Sequence, residues 1–578
     1  MLNNIKALVL LLPILFGVFF AARYVFKDIV APKRIDLWRN IFLFVTAIGF
    51  LSPNFWIMIL AVGAVVGLVA VLRLEKNLAA LFLVLVCALP PQELGIPGFA
   101  GINQLFPISP PLLMSITILV GALFHTGRIF RSVKGAALTD FFMIAFVLLS
   151  VVLAFRDTSV TNGLRSIWIL FLTTCLPYFV MSRWSRSFED FRVICVALVV
   201  PILALAGVAL LETVFSWHFY AMPAMNWHGE VASPYVYRSG FLRVYASLIG
   251  PIEFGFVLVV TMCIAFAVMN SKVSRFMGLS GIGGFAGALL FTFSRGPWLG
   301  GIIAIASYFA VGPKGFSRSI LMGFVGAIFA TGILISPMGD GIINALPFVN
   351  GGTAEADETI SYRQKLFKNG TEVIMERPAF GSTTYYEHPK MMELTQGQGI
   401  IDLVNSYIQV ALAKGLVGLF FFAGILLSAL WAAFRAMGLS KNQAPELSAY
   451  ARGAFAAMVA IILIIATTSS NPPLPILYFS IAGLCVSIRR IVEAERQSDF
   501  AGLGVEGALA DGGGAAKSGL GPSATQSIRK ATEKQTERAG VRDAEAQALA
   551  RKNAERKQAK RTRALPAHLR QYAPPTDE

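Results

Sequence analysis

Long apolar runs recur along most of the chain and limit its fold more than any other feature. Many of them, such as residues 193–215 and 251–268, are about 15–25 residues long, which matches a hydrocarbon core roughly 30 Å thick. Of all residues, 56% are hydrophobic and 14% are charged, and the mean hydropathy is +0.66. The short alternating segments of a membrane β-barrel do not occur in the sequence. We therefore predict an all-α polytopic membrane protein with about 14 transmembrane helices.

Basic residues set the predicted orientation, because loops rich in lysine and arginine stay in the cytoplasm. Five of them crowd the first loop: Arg23, Lys27, Lys33, Arg34 and Arg39. Taking the later runs alternately outward and inward places two long polar stretches, 90–110 and 216–250, on the outer face. The same orientation explains the formal net charge of +16 better than nucleic-acid binding does.

The second half of the chain is expected to contain one large periplasmic loop, 335–403, which follows a span at 320–335. Within this loop a helix at 361–376 is predicted to end before Arg377-Pro378. Beyond the loop, a short helix at 405–414 is expected to end at Gly415, because glycine commonly terminates a helix.

The C-terminal part of the chain shows a break in composition. A cytoplasmic loop at 435–452 and two further spans are expected to complete a transmembrane domain, 1–490. Residues 491–578 are rich first in Ala, Gly and Ser and then in charged residues, with almost no aromatic residues. Such a segment cannot bury a core, so we predict a cytoplasmic basic tail that is largely disordered or a solvated helix.

One charged residue has an unusual position between two apolar runs. Arg295 lies in the turn Phe291-Thr-Phe-Ser-Arg-Gly-Pro-Trp-Leu-Gly300, which joins the runs 276–293 and 298–311. An arginine at a membrane boundary is either a snorkelling or topology-setting residue or part of a functional site. The alternation of basic loops places this turn on the outer face, where positive charge is least expected. We therefore interpret Arg295 as a functional residue.

Further arginines gather on the same predicted face. Arg238 and Arg243 precede the span 251–268, and Arg363 and Arg377 lie in the large loop. Guanidinium groups match phosphate oxygens through paired hydrogen bonds, so several of them around one vestibule predict a site for a multiply charged anion. Fixed cations of this kind can stabilise a departing pyrophosphate during glycosyl transfer without a metal.

A glycosyl transfer also needs a general base for the acceptor hydroxyl. Three residues of the outer face are candidates: His388, Glu253 and Asp402. Each has a simpler interpretation, because a loop histidine or aspartate is usually solvated and Glu253 can pair with a nearby arginine. We predict that His388 and Glu253 take part in catalysis together with Arg243 and Arg295.

Four regions resemble motifs of the O-antigen ligase and polysaccharide polymerase superfamily of bacterial inner membranes. In chain order they are Leu242-Arg-Val-Tyr-Ala-Ser-Leu-Ile-Gly-Pro251, Ser294-Arg-Gly-Pro-Trp298, Tyr362-Arg-Gln-Lys-Leu-Phe367 with Glu376-Arg-Pro-Ala-Phe-Gly381, and Asn405-Ser-Tyr-Ile-Gln-Val410 with Lys414-Gly-Leu-Val-Gly-Leu419. Each motif is weak alone, and their order, spacing and shared outer face carry the resemblance. It covers residues 243–427 well and the earlier spans only by hydropathy.

The resemblance implies a C-type membrane glycosyltransferase whose donor is a glycan on undecaprenyl pyrophosphate and which needs no metal or other cofactor. It implies that Arg243, Arg295 and Arg363 contact the phosphates or the glycan near them. The residues expected to bind the substrate are Arg238, Trp298, Arg363, Arg377, Asn405 and Tyr407. Membrane lipids and other polysaccharide-assembly proteins are the expected partners. The expected location is the bacterial inner membrane, with the active face in the periplasm.

One position departs from the family pattern. Ligases of this family usually carry a histidine directly before the Asn-Ser-Tyr-like motif as the proposed base, and here that place is Val404. Either His388 or an acid replaces it, or this member is a polymerase with a different arrangement. We therefore favour a polymerase for O-antigen, capsule or exopolysaccharide over a ligase that transfers glycan to lipid A-core. A glycolipid transporter is less favoured, because the spans carry few charges and show no repeated halves.

Overall fold

The computed structural model describes residues 2–98, 104–126, 135–156, 158–228, 237–238, 240–312, 354–396, 399, 401–440, 445–471 and 473–510. The predicted span at 320–335, residues 336–353 of the predicted periplasmic loop and the tail from residue 511 lie outside this part of the chain. The chain divides into two units, Met1–Ser498 and Asp499–Glu578. The first unit contains all elements described below, except for the last turns of the final helix.

Helices dominate the N-terminal half of the first unit. Its elements are α1 (Leu2–Val25), α2 (Pro32–Leu51), α3 (Phe55–Val71), α4 (Leu78–Leu85), β1 (Leu94–Pro97), β2 (Gln104–Ile108), α5 (Pro110–Met114), α6 (Val120–Thr126), α7 (Ala137–Leu153), α8 (Val160–Leu170), α9 (Leu176–Trp184) and α10 (Phe188–Phe215). Two π-helical segments, Ser115–Leu119 and Phe171–Cys175, join α5 to α6 and α8 to α9.

The C-terminal half is also mainly helical. Its elements are α11 (Ala221–His228), β3 (Tyr237–Arg238), β4 (Phe241–Leu242), α12 (Pro251–Lys272), α13 (Arg275–Phe291), α14 (Arg295–Ala310), α15 (Ala354–Glu376), α16 (Pro389–Met392), α17 (Ser406–Ser440), α18 (Pro445–Ile464) and α19 (Leu474–Ala510). Short 3₁₀ turns occupy Tyr385–Glu387 and Ile465–Thr467.

Two small antiparallel sheets lie in stretches that the sequence predicted as outer loops. In the first, β1 pairs with β2 and Leu94 lies opposite Ile108. In the second, β3 pairs with β4 and Arg238 lies opposite Phe241. The all-α prediction therefore holds for the apolar runs but missed these hairpins, because pairs this short leave little periodicity to detect.

Several helices have the length and composition of membrane spans. Within the described residues, seven helical segments qualify: Leu2–Val25, Val160–Trp184, Phe188–Phe215, Pro251–Met269, Ser406–Ser440, Pro445–Thr467 and Leu474–Gln497. Four shorter apolar helices accompany them: Phe55–Val71, Pro110–Leu123, Ala137–Leu153 and Arg275–Phe291. These helices support the predicted class of a polytopic helical membrane protein, while the count of about 14 spans stays a prediction.

Contacts between distant parts of the chain bring several basic residues to one end of the helices. Arg192, near the start of α10, donates to the Asp28 carbonyl at 3.3 Å and lies 3.3 Å from the Glu446 carboxylate at the start of α18. Arg183 pairs with Asp140, and Arg490 donates to the Ser182 carbonyl. The first turns of α12 and α14 lie at the other end of their helices.

The predicted cytoplasmic loop at 435–452 is wrong in extent. α17 continues to Ser440, and α18 already begins at Pro445. Both extensions bury small or apolar side chains, such as Ala436 and Met437 on α17 and Leu447 on α18. Packing therefore prolongs these helices past the basic residues that marked the predicted loop.

Glycines allow α12 to approach its neighbours closely at the centre of the fold. A Cβ atom on Gly453 of α18 would lie 2.9 Å from the Ala267 Cβ and 3.0 Å from the Cys263 carbonyl oxygen of α12. A Cβ on Gly255 of α12 would lie 2.8 Å from the Pro297 Cβ near the start of α14. Small residues at such crossings are typical of membrane helices. The first turns of α12 and α14 are thereby held side by side.

Helix α17 is interrupted where the sequence predicted a helix end. Gly415 has φ 70° and ψ −173°, which is not helical, and the helix resumes directly after it. The backbone groups opened by the break are satisfied from outside: the Leu416 amide donates to the Pro378 carbonyl at 2.7 Å, and the Ser382 amide donates to the Leu412 carbonyl at 2.8 Å. The segment 378–382 thus docks on the break, which explains why the motifs around Gly381 and Gly415 occur together.

Candidate functional site

The turn between α13 and α14 is the centre of the candidate site. Phe293 adopts a positive φ of 46°, and Ser294 lies in the N-cap position of α14, directly before Arg295. The Trp298 indole donates to the Leu289 carbonyl at 2.8 Å and is nearly buried. Trp298 was predicted to bind substrate, but here it folds back on the end of α13 and stabilises the turn.

A hairpin that precedes α12 covers this turn and brings two further arginines to it. Arg238 donates from Nη1 to the Phe293 carbonyl at 3.0 Å. Arg243 donates from Nε to the Thr292 carbonyl and from Nη2 to the Ser294 hydroxyl, both at 3.1 Å. The predicted residues Arg238, Arg243 and Arg295 are therefore brought together, although the chain separates the first two from the third by more than 50 residues.

Backbone and ring contacts reinforce the same junction. The Val244 amide donates to the Phe291 carbonyl at 3.1 Å. The Phe241 ring stacks on the Phe293 ring with centroids 5.7 Å apart and planes inclined by 15°. Each carbonyl from Phe291 to Phe293 thus accepts a hydrogen bond from the hairpin or the residues after it. These bonds hold the segment 238–244 firmly against the turn.

The electrostatic surroundings of Arg243 favour an anion. Burial, and then repulsion from Arg238, lower the pKa of the Arg243 guanidinium to about 10, while Glu253 acts in the opposite direction. Arg243 is still charged near neutral pH at this value. A buried cation beside a second cation gains stability when an anion binds, which makes this pair a candidate phosphate contact.

Glu253 lies in the first turn of α12, close to Arg243. A Cβ on Gly250 would lie 2.7 Å from its carboxylate oxygen Oε2. The carboxylate interacts electrostatically with Arg243 and with Asp402. The structure thus brings this predicted catalytic residue close enough to Arg243 for the two charges to interact.

Asp402 occupies a meeting point of several elements. Its Oδ1 accepts a hydrogen bond from the Ser469 hydroxyl at 2.5 Å, and its backbone carbonyl accepts one from the Tyr362 hydroxyl at 3.0 Å. It also interacts electrostatically with Arg363 and Glu253. The loop before α17, the loop after α18 and the helix α15 therefore converge on one carboxylate that is half-buried.

Arg363 interacts electrostatically both with Asp402 and with Arg295 in the turn between α13 and α14, the arginine turn. It lies on α15, which packs on α17 through the buried residues Leu366, Ile408 and Leu412. Partial burial of the guanidinium and repulsion from Arg295 lower the pKa of Arg363, and Asp402 raises it. Arg363 and Arg295 are thus close enough to repel each other, and their joint role in substrate binding stays a prediction.

A polar run after α18 was missed by the sequence analysis. Residues Thr467-Thr-Ser-Ser470 follow α18, at the point where the sequence predicted that the span 453–468 would end. Ser469 bonds Asp402, the Thr468 carbonyl accepts from the Ser406 hydroxyl at 2.9 Å, and a Cβ on Gly296 would collide with Thr467. Four successive hydroxyl residues at the end of an apolar helix were the available signal, because buried hydroxyls need partners.

Two predicted substrate-binding residues have structural contacts. The Asn405 side-chain carbonyl accepts from the Tyr407 amide at 2.9 Å and the Ile408 amide at 3.1 Å, so Asn405 caps α17. The Tyr407 hydroxyl donates to the Ile462 carbonyl of α18 at 2.8 Å. Val404 packs against a small apolar cluster that includes Leu403 and Ile408. A direct role of Asn405 or Tyr407 in substrate binding stays a prediction.

His388 and Arg377 have different surroundings. His388 Nδ1 accepts a hydrogen bond from the Lys390 amide at 3.2 Å, and Nε2 lies 3.1 Å from a Glu376 carboxylate oxygen. Both ring nitrogens are engaged, which leaves neither open to an acceptor hydroxyl in this conformation. Arg377 is exposed after the end of α15. These contacts make His388 less suited to act as the base, and its catalytic role stays a prediction.

The assembled groups define what the site can do chemically. Arg238, Arg243, Arg295 and Arg363 supply positive charge, while Glu253 and Asp402 supply carboxylates beside it. Such a surface can bind a phosphorylated group and accept a proton from a neighbouring hydroxyl. Among the residues that the structure describes, no group of three or more His, Cys, Asp or Glu side chains could hold a metal ion.

The apolar helices indicate an integral membrane protein, with a charged surface at one of their ends. Residues 280–423 match the model of a protein family described as O-antigen ligase, which supports the predicted resemblance to the O-antigen ligase superfamily. The family indicates a ligase- or polymerase-type enzyme with a lipid-linked glycan as substrate. A comparison with curated proteins found no match.

The matched segment contains only part of the candidate site. Arg295, Arg363 and Asp402 lie within it, whereas Arg238, Arg243 and Glu253 precede it. The contacts between the hairpin and the turn therefore join residues on both sides of the boundary of the family model.

Proposed function

We propose that this protein is a bacterial inner-membrane polymerase that joins glycan repeats carried on undecaprenyl pyrophosphate. The observation that carries the proposal is the convergence of Arg238 and Arg243 on the turn that contains Arg295. Three guanidinium groups at one turn, with Arg363 in electrostatic contact with the third, match the two phosphates of such a donor.

The arginines would act on the leaving group. When the acceptor oxygen attacks the anomeric carbon of the donor, the bond from that carbon to the pyrophosphate oxygen breaks and its electron pair remains on the pyrophosphate. Negative charge therefore grows where Arg243 and Arg295 lie. Because Arg243 is already held by the Thr292 carbonyl and the Ser294 hydroxyl, it needs little reorganisation as this charge develops.

Asp402 is the residue that we propose as general base. It would take the proton of the acceptor hydroxyl as the new glycosidic bond forms. Three features support it: the carboxylate is half-buried, Ser469 orients it, and it interacts electrostatically with Arg363. It lies two positions before Val404, the place of the usual ligase histidine. An acid on the same loop is therefore the replacement that the geometry favours.

Glu253 is better suited to a supporting role. It lies beside Arg243 and attracts it, while it repels the Asp402 carboxylate. A negative charge in this position would help to keep Arg243 directed at the turn. We propose that Glu253 orients Arg243 and that it does not contact the acceptor.

The distribution of charge supports a periplasmic active face. Basic residues such as Arg183, Arg192 and Arg490 lie at the end of the helices opposite the first turns of α12 and α14. Lysine and arginine accumulate on the cytoplasmic side of bacterial inner-membrane proteins. We propose that the arginine turn therefore faces the periplasm, where lipid-linked repeats are joined.

A ligase is the second candidate, because the matched family is described as O-antigen ligase. The two functions use the same donor and differ in the acceptor, which is a second lipid-linked repeat for a polymerase and lipid A-core for a ligase. Val404, in the place of the usual ligase histidine, favours the polymerase.

Deletion of the gene, followed by gel analysis of surface and lipid-linked glycans, separates the two. A polymerase defect leaves glycans of one repeat, whereas a ligase defect leaves full-length polymer on the lipid carrier. Purified protein with a synthetic lipid-linked repeat as the only substrate then provides a direct test. Chain elongation supports the polymerase, and full-length surface glycan in the deletion strain would refute both functions.

A further inference from the structure

A buried acidic side chain holds the backbone of the segment that follows Arg243. Glu212, near the end of α10, is fully buried, and its Oε2 accepts hydrogen bonds from the Tyr245 amide at 3.2 Å and the Ala246 amide at 3.1 Å. His218 Nδ1 lies 3.4 Å from the same oxygen. The His218 ring faces the Tyr245 ring with centroids 4.0 Å apart. One carboxylate oxygen therefore holds two successive amides of the segment that follows Arg243.

The backbone at this point needs such a fixed partner. Ala246 adopts a positive φ of 47°, which is unfavourable for a residue with a Cβ and persists only where surrounding contacts determine it. The Val244 amide, two residues before Ala246, donates to the Phe291 carbonyl of the arginine turn. Three consecutive amides are thus held, the first by the turn and the next two by Glu212.

Arg243 lies directly before these three amides. Its guanidinium reaches the Thr292 carbonyl and the Ser294 hydroxyl only while its own backbone stays in register with the turn. If the amides of Tyr245 and Ala246 lost their acceptor, the segment could relax from its strained conformation and shift Arg243. A displacement of about 1 Å in a positioning contact is enough to lower a reaction rate by roughly 100-fold.

We propose that Glu212 is a positioning residue, which sets the direction of the Arg243 guanidinium through the backbone of Tyr245 and Ala246. This inference rests on the proposed function, because it assigns Arg243 to the leaving pyrophosphate. Glu212 does not touch the substrate. Its effect appears in the transition state, where aligned hydrogen bonds matter most.

Three substitutions of Glu212 distinguish the loss of its hydrogen-bond acceptor oxygen from the loss of its negative charge. Glu212→Gln keeps a carbonyl oxygen for both amides and should retain kcat within about threefold. Glu212→Asp keeps the charge but shortens the reach by one methylene, and Glu212→Leu removes the acceptor. Both should lower kcat by about 100-fold, with little change in the KM of the lipid-linked donor, because long-range attraction to the arginines persists.

The control is a second buried carboxylate with comparable partners elsewhere. Glu75 accepts hydrogen bonds from the Trp38 indole at 2.8 Å and the Asn77 amide at 2.7 Å, and Arg34 pairs with it. Glu75→Gln should change the thermal midpoint but leave kcat per folded enzyme unchanged. A purely structural role of Glu212 would give this same pattern, with a lower midpoint and unchanged kcat, and would overturn the proposal.

Combination with Arg243→Ala decides whether the effect passes through Arg243. If it does, Glu212→Asp in the Arg243→Ala background adds no further loss of kcat, whereas independent effects multiply. Full activity of Arg243→Ala would refute the proposed phosphate site itself. An inactive Arg243→Ala beside a fully active Glu212→Asp would refute only the positioning role. Glu212→Asp keeps the test decisive if Glu212→Leu does not fold.

Discussion

The Ser469 hydroxyl donates a hydrogen bond to the Asp402 carboxylate, with 2.5 Å between Oγ and Oδ1. The distance lies in the range of charge-assisted O–H···O⁻ bonds. Because Ser469 follows α18 and Asp402 precedes α17, the bond connects the ends of two membrane helices. It fixes the carboxylate beside α15, which contributes Tyr362 and Arg363. The proposed base is thereby held by the packing of helices and not by its own loop.

Replacement of this base should abolish the reaction without unfolding the protein. We expect Asp402→Asn to lower the elongation rate by about 100-fold or more, since an amide cannot accept the acceptor proton. The initial rate with a synthetic lipid-linked repeat measures this. Glu387→Gln changes an exposed carboxylate of the same region and serves as the control. If Asp402→Asn stays active while His388→Gln is inactive, the base is His388.

Arg295 should be required for catalysis in both its charge and its shape. We expect Arg295→Ala to lower the rate by about 100-fold or more, as for loss of a preorganised donor at a developing anion. Arg295→Lys should also fail substantially, because an ammonium group cannot bind two phosphate oxygens in the geometry of a guanidinium. Lys368→Ala removes an exposed cation from α15 as the control. Full-length surface glycan in the Arg295→Ala strain would contradict the site.

The break in α17 offers a paired test of stability. Gly415→Ala should destabilise the protein by about 1–3 kcal/mol for the backbone conformation alone, and its Cβ would also collide with the Ala379 carbonyl. Gly438→Ala, later in the same helix, has open space around the added Cβ and should stabilise by about 0.5–1 kcal/mol. Thermal unfolding in detergent measures both changes. Equal midpoints for the two variants would show that the break carries no strain.

The C-terminal tail should be dispensable for the chemistry. The described residues of the candidate site all lie before residue 471, and α19 continues past the predicted boundary at 490 to Ala510. Truncation after Ala510 is therefore expected to leave elongation by the purified protein largely intact. A truncation after residue 490 would remove more of the chain, including Glu493, which pairs with Arg489 at 2.8 Å. It is therefore the less suitable variant. A folded but inactive protein after the first truncation would show that the tail contributes to the reaction.

Much of the architecture was predictable because membrane helices follow local rules. Apolar length predicted the seven described helices that are long enough to span a membrane, and Gly415 marked the break in α17. The arginines stood out because charge is rare in such a sequence. The extent of the cytoplasmic loop at 435–452 was misjudged because Arg435 and Arg452, two of its basic residues, lie on helices that extend into it. Local composition reports the charge but not the neighbour that prolongs the helix.

The roles of individual site residues were less predictable. His388 was a reasonable base from its type, but its ring caps α16 and faces Glu376. Trp298 belongs to a family-like motif, but its indole is used to stabilise the turn. Glu212 had no visible signal at all, because a single acid near the end of a span resembles any residue at a membrane boundary. Each outcome depends on a partner that is remote in the chain or on a competing local bond.

The sequence by itself determined a helical membrane protein and singled out the turn that contains Arg295, because hydropathy and charge act through the solvent and need no partner to be specified. Only the tertiary structure decided which residues meet at that turn. Arg243 reaches Thr292 across 49 positions, and Ser469 reaches Asp402 across 67. Hydrogen bonds are directional and act over about 3 Å, so they depend on how the helices pack and not on the order of residues. The sequence therefore indicates the class of the protein, whereas its proposed catalytic geometry depends on how the helices pack.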